Sequence, residues 1–151
     1  LSIFLLIILF TDLFFFLIFD IAVINLFFVL IYILLFTEFN PFDTTIISSF
    51  IAFIVSISFF YSIKFIFLKL RGIDGLGTGD IKLIGVLSLI TGSLYLPYLI
   101  IIASILALFH LILVKLIDRK NLIIEIKSPF GTYLVISLFL LIYWNYQTLI
   151  F

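Results

Sequence analysis

Two aspartates, Asp12 and Asp80, stand in segments whose residue types could carry chemistry. Asp12 lies in Leu-Phe-Thr-Asp-Leu-Phe-Phe-Phe-Leu-Ile-Phe-Asp, among large apolar residues. A carboxylate at bilayer depth costs at least ~2.5–3.5 kcal/mol, so an acid inside such a run is a functional candidate. Asp80 closes the segment Arg-Gly-Ile-Asp-Gly-Leu-Gly-Thr-Gly-Asp, in which Gly72, Gly75, Gly77 and Gly79 precede it. A glycine-rich stretch can adopt φ > 0 and let the main chain approach a substrate closely. Two carboxyl groups brought together can hydrolyse a peptide bond. Like charges a few ångströms apart do not both ionise easily, so the pair shares one proton. One member then acts as base toward water while its protonated partner polarises the scissile carbonyl. Such a pair titrates as a unit.

Taken singly, each acid has a plainer reading. Asp12 could end a helix at the water interface, and Asp80 could be the N-cap of a helix after a flexible turn. The glycines do not form a dinucleotide fingerprint, because no strand precedes them. Lys82 could approach the carboxylates, but snorkelling to headgroups is the favoured reading. His110, in the middle of an apolar run, reads as a packed, hydrogen-bonded residue. Asp20 and Asn25 read as residues that cap or cross-link helices, and Glu38 and Asp43 as an external solvated loop. The 21 phenylalanines read as lipid-facing bulk.

The elements that must position these residues are membrane helices. Of 151 residues, 66% are hydrophobic and 11% charged, with a mean hydropathy of +1.53. A soluble domain carries about 25% charged residues, and a chain this small has too little interior to hide so much apolar surface. Zero net charge argues against a nucleic-acid partner. The absence of cysteine excludes a disulfide and a thiolate zinc site in this chain. The chain begins at Leu1 and holds no methionine, which points to a fragment or a non-standard start. No cleavable signal is expected, since neither a basic segment nor a small-residue cleavage site is present at the start.

Apolar runs cover roughly 1–11, 18–36, 46–68, 81–92, 97–117 and 129–150. Residues 1–36 as one helix would be about 54 Å long, well beyond the ~30 Å hydrocarbon core. A break is therefore expected between Asp12 and Asp20. Segment 37–45 has acids only, whereas 69–82 and 115–127 carry Lys69, Arg71, Lys82, Lys115, Arg119, Lys120 and Lys127. Basic loops stay cytoplasmic. Six spans then alternate with both termini outside, and Asp12 and Asp80 fall on the cytoplasmic side. The expected architecture is an all-α polytopic membrane helix bundle of about six transmembrane helices, with residues 1–151 forming a single membrane-embedded domain.

Three elements resemble a known family in order. Gly77-Thr78-Gly79-Asp80-Ile81-Lys82-Leu83 is similar to the Gly-x-Gly-Asp-x-Lys-Leu signature of type IV prepilin peptidases and their archaeal preflagellin relatives. Asp12 followed by Ile18 and Asp20 resembles their first aspartate motif, in which proline usually stands where Phe19 stands here. Ser128-Pro129-Phe130-Gly131 resembles the Pro-Phe-Gly that opens their final helix. The resemblance implies an aspartic endopeptidase of the inner (cytoplasmic) membrane that cuts the basic leader from prepilins or pseudopilins, with no metal and no organic cofactor. Asp12 and Asp80 would be the catalytic pair and Gly77, Thr78, Gly79 and Lys82 an active-site loop. Asp74, where the family often has an acid, would be a possible substrate-binding residue, although a solvated loop acid is the plainer reading. Many bacterial members also N-methylate the new terminus and carry a cysteine-bearing zinc site; with no cysteine here, cleavage alone is expected. Two competing readings are a presenilin-like intramembrane protease, which would need Pro-Ala-Leu where this chain has Pro129-Phe130-Gly131, and a non-catalytic transporter or assembly protein.

Overall fold

The computed structural model describes residues 2–37, 40–72, 76–117 and 129–150, and these are all-helical apart from short connections. The helices are α1 (Ser2–Phe15), α2 (Asp20–Phe36), α3 (Ile46–Arg71), α4 (Thr78–Ile117) and α5 (Phe130–Ile150). The expected break after Asp12 is present. Phe16 turns to φ 52° while its N–H still bonds the Asp12 carbonyl at 2.9 Å, so the left-handed residue stops α1. The chain restarts from Phe19 at φ −69° and ψ 123°. Asp20 then supplies a negative charge to the positive end of α2.

Local chemistry also sets the ends of α3. Thr45 caps its start by accepting the Ser48 N–H at 3.2 Å. Gly72 closes it in the left-handed region, at φ 66°, with its N–H on the Leu68 carbonyl. Ahead of α3, Asn40 Oδ1 accepts the Thr44 N–H at 3.0 Å and its Nδ2 donates to the Thr44 carbonyl at 2.7 Å. Asp43 is exposed on this turn, as its solvated reading required; Glu38 lies outside the described residues.

The 40 residues of α4 contain a break at Gly92, whose φ of 62° and ψ of −172° are not helical. The contacts on either side show a reversal. A straight helix would separate Asp80 from His110 by about 45 Å. Instead the Asp80 carboxyl meets the Gly131 N–H and the His110 ring lies 5.9 Å from the Tyr133 ring, both at the start of α5. The first arm, 78–91, packs antiparallel to α3, with Ser88 bonded to Ser56 and Ser93, just beyond the break, to Ser48. The second arm, 93–117, returns along α5 from the Tyr95–Asn145 hydrogen bond to the His110–Tyr133 contact. The runs expected at 81–92 and 97–117 are thus two rods of one helical hairpin.

Among the described residues, six rods therefore alternate between two ends. One end gathers Asp12, Asp20, Asp80 and the start of α5. The other gathers the 40–45 turn, Gly92 and Asn145, where Asn145 donates to the Pro41 carbonyl and Phe42 packs on Tyr95. The first arm of α4 is the central rod: Ile81, Leu83, Ile84 and Leu87 are fully enclosed, and α4 packs against α2, α3 and α5. Ile46–Leu70 and Thr78–Leu116 are long and apolar enough to cross a membrane. Only 17% of the most apolar window of each is buried, so these are not core helices of a soluble protein. Their outward faces carry residues such as Phe65, Leu70, Leu94 and Phe109, which lipid can cover at no hydrophobic cost.

Candidate active site

Asp12 sits in the last turn of α1 and is 4% exposed. Its Oδ2 accepts the Thr132 backbone N–H at 2.6 Å and the Thr132 hydroxyl at 3.1 Å. The Gly131 N–H is directed at the same carboxyl group. Asp80 is the third residue of α4, partly buried, and its carboxyl lies within electrostatic reach of both the Gly131 N–H and Asp12. The first turn of α5 thus faces two acids with free amide donors, which a helix start has to spare. Both aspartates line one cavity of about 550 Å³.

Three segments meet at a single apolar wedge. A Cβ on Gly79 would come within 3.0 Å of the Ile18 Cβ, and one on Gly131 within 2.7 Å of the Ile18 Cδ1 and 3.0 Å of Asp12 Oδ2. Ile18 therefore fits between two glycines that have to remain without side chains. A Cβ on Gly77 would lie 2.8 Å from Asp80 Oδ2. Among the described glycines, φ is positive only at Gly72 and Gly92. Gly77 and Gly79 are thus required for space, not for the left-handed backbone that the glycine-rich stretch led one to expect.

The expected active-site loop is shorter than its residues implied. Gly77 precedes α4, whereas Thr78 and Gly79 form its first turn and Lys82 stands one turn on. Thr78 and both glycines line the cavity with the acids. Lys82 meets a carboxylate: its Nζ lies 2.8 Å from Asp20 Oδ1, joining α4 to the start of α2. The reason is proximity, since Asp20 is the first helical residue after the turn that carries Ile18 onto α4. Asp20 thereby fulfils its cross-linking reading and also lines the cavity. Asp74 lies outside the described residues. His110 packs against Tyr133 with its Nδ1 buried and without a hydrogen-bond partner, so the hydrogen-bonded reading fails for that nitrogen.

Thr132 is the residue that sequence reading did not find. Pro129-Phe130-Gly131 marked the start of the last helix, but nothing in the order of residues tied the next threonine to an aspartate 120 positions away.

A family model described as the type IV leader peptidase family matches residues 1–112, a stretch that includes both aspartates and stops short of Gly131. A prepilin leader peptidase/N-methyltransferase of Vibrio cholerae serotype O1 is 35% identical over 95 residues, which cover 63% of this chain and 34% of that protein. The chain thus aligns with about a third of that relative's length. No solved structure matches. With the model spanning well over half of its residues, the chain belongs to the type IV leader peptidase family.

Proposed function

We propose that this chain is a membrane aspartic endopeptidase that removes the leader of type IV prepilins or prepilin-like proteins at the cytoplasmic membrane boundary, with Asp12 and Asp80 as its catalytic pair. The observation that carries this reading is the arrival of both carboxyl groups in one cavity, addressed by the same Gly131 amide. A water between them loses a proton to the ionised carboxylate as its oxygen attacks the scissile carbonyl. The protonated carboxyl donates its hydrogen to the carbonyl oxygen, giving a neutral tetrahedral diol. Collapse of the diol breaks the C–N bond, and the proton taken from water passes to the leaving amine.

The main chain at Gly77, Thr78 and Gly79 offers a low wall along which an extended substrate can lie. The same reading gives Asp74 to the basic part of the leader as a second acid. It takes residues 1–151 as one multi-pass domain of the inner membrane with six crossings, the aspartates on the cytoplasmic side with the basic segments. Purified chain in detergent, incubated with a prepilin, is expected to release the leader, and Asp12→Ala and Asp80→Ala to release none. Absence of cleavage by the unsubstituted chain, or full activity in either variant, ends this reading.

A further inference from the structure

We infer that Thr132 is a positioning residue whose hydroxyl holds the Asp12 carboxyl group in one orientation in both of its protonation states. This rests on the catalytic pair proposed above. A pair that shares and passes a proton has to keep each carboxyl aligned while its charge changes. A backbone N–H is a donor only, so the Thr132 amide, 2.6 Å from Asp12 Oδ2, steadies that oxygen but cannot accept a proton from it. The Thr132 hydroxyl lies 3.1 Å from the same oxygen and 3.3 Å from the Leu9 carbonyl. With Asp12 ionised, the hydroxyl donates to Oδ2. With the proton on Oδ2, that O–H donates to the threonine oxygen, and the threonine hydrogen turns to the Leu9 carbonyl. No heavy atom moves and no bond partner is lost. The geometry is enclosed: Thr132 is 3% exposed and Asp12 4%.

The titratable and charged groups around Asp12 are few. Asp80 faces it from α4. Asp20 of α2 lies on the cavity rim, paired with Lys82 of α4, which Tyr61 of α3 reaches electrostatically. On α5 the next residue, Tyr133, turns to His110.

The test compares Thr132→Val, which keeps shape and amide but removes the hydroxyl, with Thr132→Ser, which keeps the hydroxyl. With prepilin in detergent, Thr132→Val is expected to lose about ten- to a hundredfold in kcat, the range for a lost hydrogen bond to a charged group. KM should hold, and the acidic limb of the kcat–pH profile should move. Thr132→Ser should recover most of kcat and the original profile. A purely structural threonine would lower thermal stability without moving that limb. Infrared difference spectra against Asp12→Asn give a second readout that needs no turnover: the Asp12 carboxyl band should shift in Thr132→Val and stay in Thr132→Ser. The inference is overturned by an unshifted band, or by an unchanged kcat and pH profile in Thr132→Val. It is overturned equally by a serine variant as impaired as the valine one. An inactive unsubstituted chain whose band still responds in this way would instead count against the peptidase reading alone.

Discussion

Around Ile18, absent side chains do as much as present ones. A methyl group on Gly131 would meet the Ile18 Cδ1 at 2.7 Å and Asp12 Oδ2 at 3.0 Å. The isoleucine end can swing aside, but Asp12 Oδ2 is tied to two donors and cannot yield without loosening them. Gly131→Ala is therefore expected to cost about 1–3 kcal/mol of stability in thermal unfolding, and to lower cleavage more than Phe130→Leu does in the same assay. Phe19 gives a prediction of opposite sign. Its φ of −69° is the value a proline ring enforces, so the family's usual residue fits the turn that this chain builds without it. Phe19→Pro is expected to be neutral or to stabilise by about 0.4–1 kcal/mol, by restricting the unfolded chain. At this scale the two acids could be singled out in advance, Asp12 because a carboxylate in an apolar run has a large energetic signature and Asp80 because it closes a glycine-rich segment. Thr132 and the Asp20–Lys82 pair could not, since small polar residues at helix starts have many local uses and their partners lie far along the chain.

Helix boundaries followed from composition wherever a polar break was strong. Runs expected at 18–36, 46–68 and 129–150 match α2, α3 and α5 to within three residues at each end. The reading was weakest at the start of α4, whose first turn takes in Thr78 and Gly79, residues assigned to a loop; its reversal at Gly92 falls at the expected end of the 81–92 run. Gly92 holds that reversal in a backbone region that is almost exclusive to glycine, and a Cβ there would lie 2.6 Å from Thr44 Cγ2. Gly92→Ala should lower stability by about 1–3 kcal/mol, read as a fall in Tm in detergent; an unchanged Tm would mean that another residue turns the chain. The Asp20–Lys82 bridge is half exposed, so its contribution to stability is small. Its consequence is positional, because it fixes the start of α2 beside the cavity. Asp20→Lys or Lys82→Asp alone sets like charges together and should reduce cleavage about tenfold, whereas the double exchange should restore most of it.

Among the described residues the molecule presents apolar faces outward and gathers Asp12, Asp20 and Asp80 at one end, an arrangement suited to lipid around the rods and water at the ends. Alternation of the rods between two ends, with Asp12 and Asp80 at the same one, was legible from run lengths and basic loops; the docking of Thr132 against Asp12 was not, since side-chain packing alone decides it. The lack of native cysteine makes the orientation easy to test. Asp43→Cys should react with a membrane-impermeant maleimide from outside intact cells, and Lys69→Cys only after permeabilisation. The most direct test of the central claim uses the same cysteine-free background. Asp12→Cys and Asp80→Cys are combined in one folded chain, mild oxidant is added, and free thiols are counted, with Asp43→Cys and Asp80→Cys as the control pair at opposite ends. Rapid loss of both thiols in the first pair and none within the control chain is the expected result. Two thiols in the first pair that stay free as long as the control's would mean that the acids do not meet.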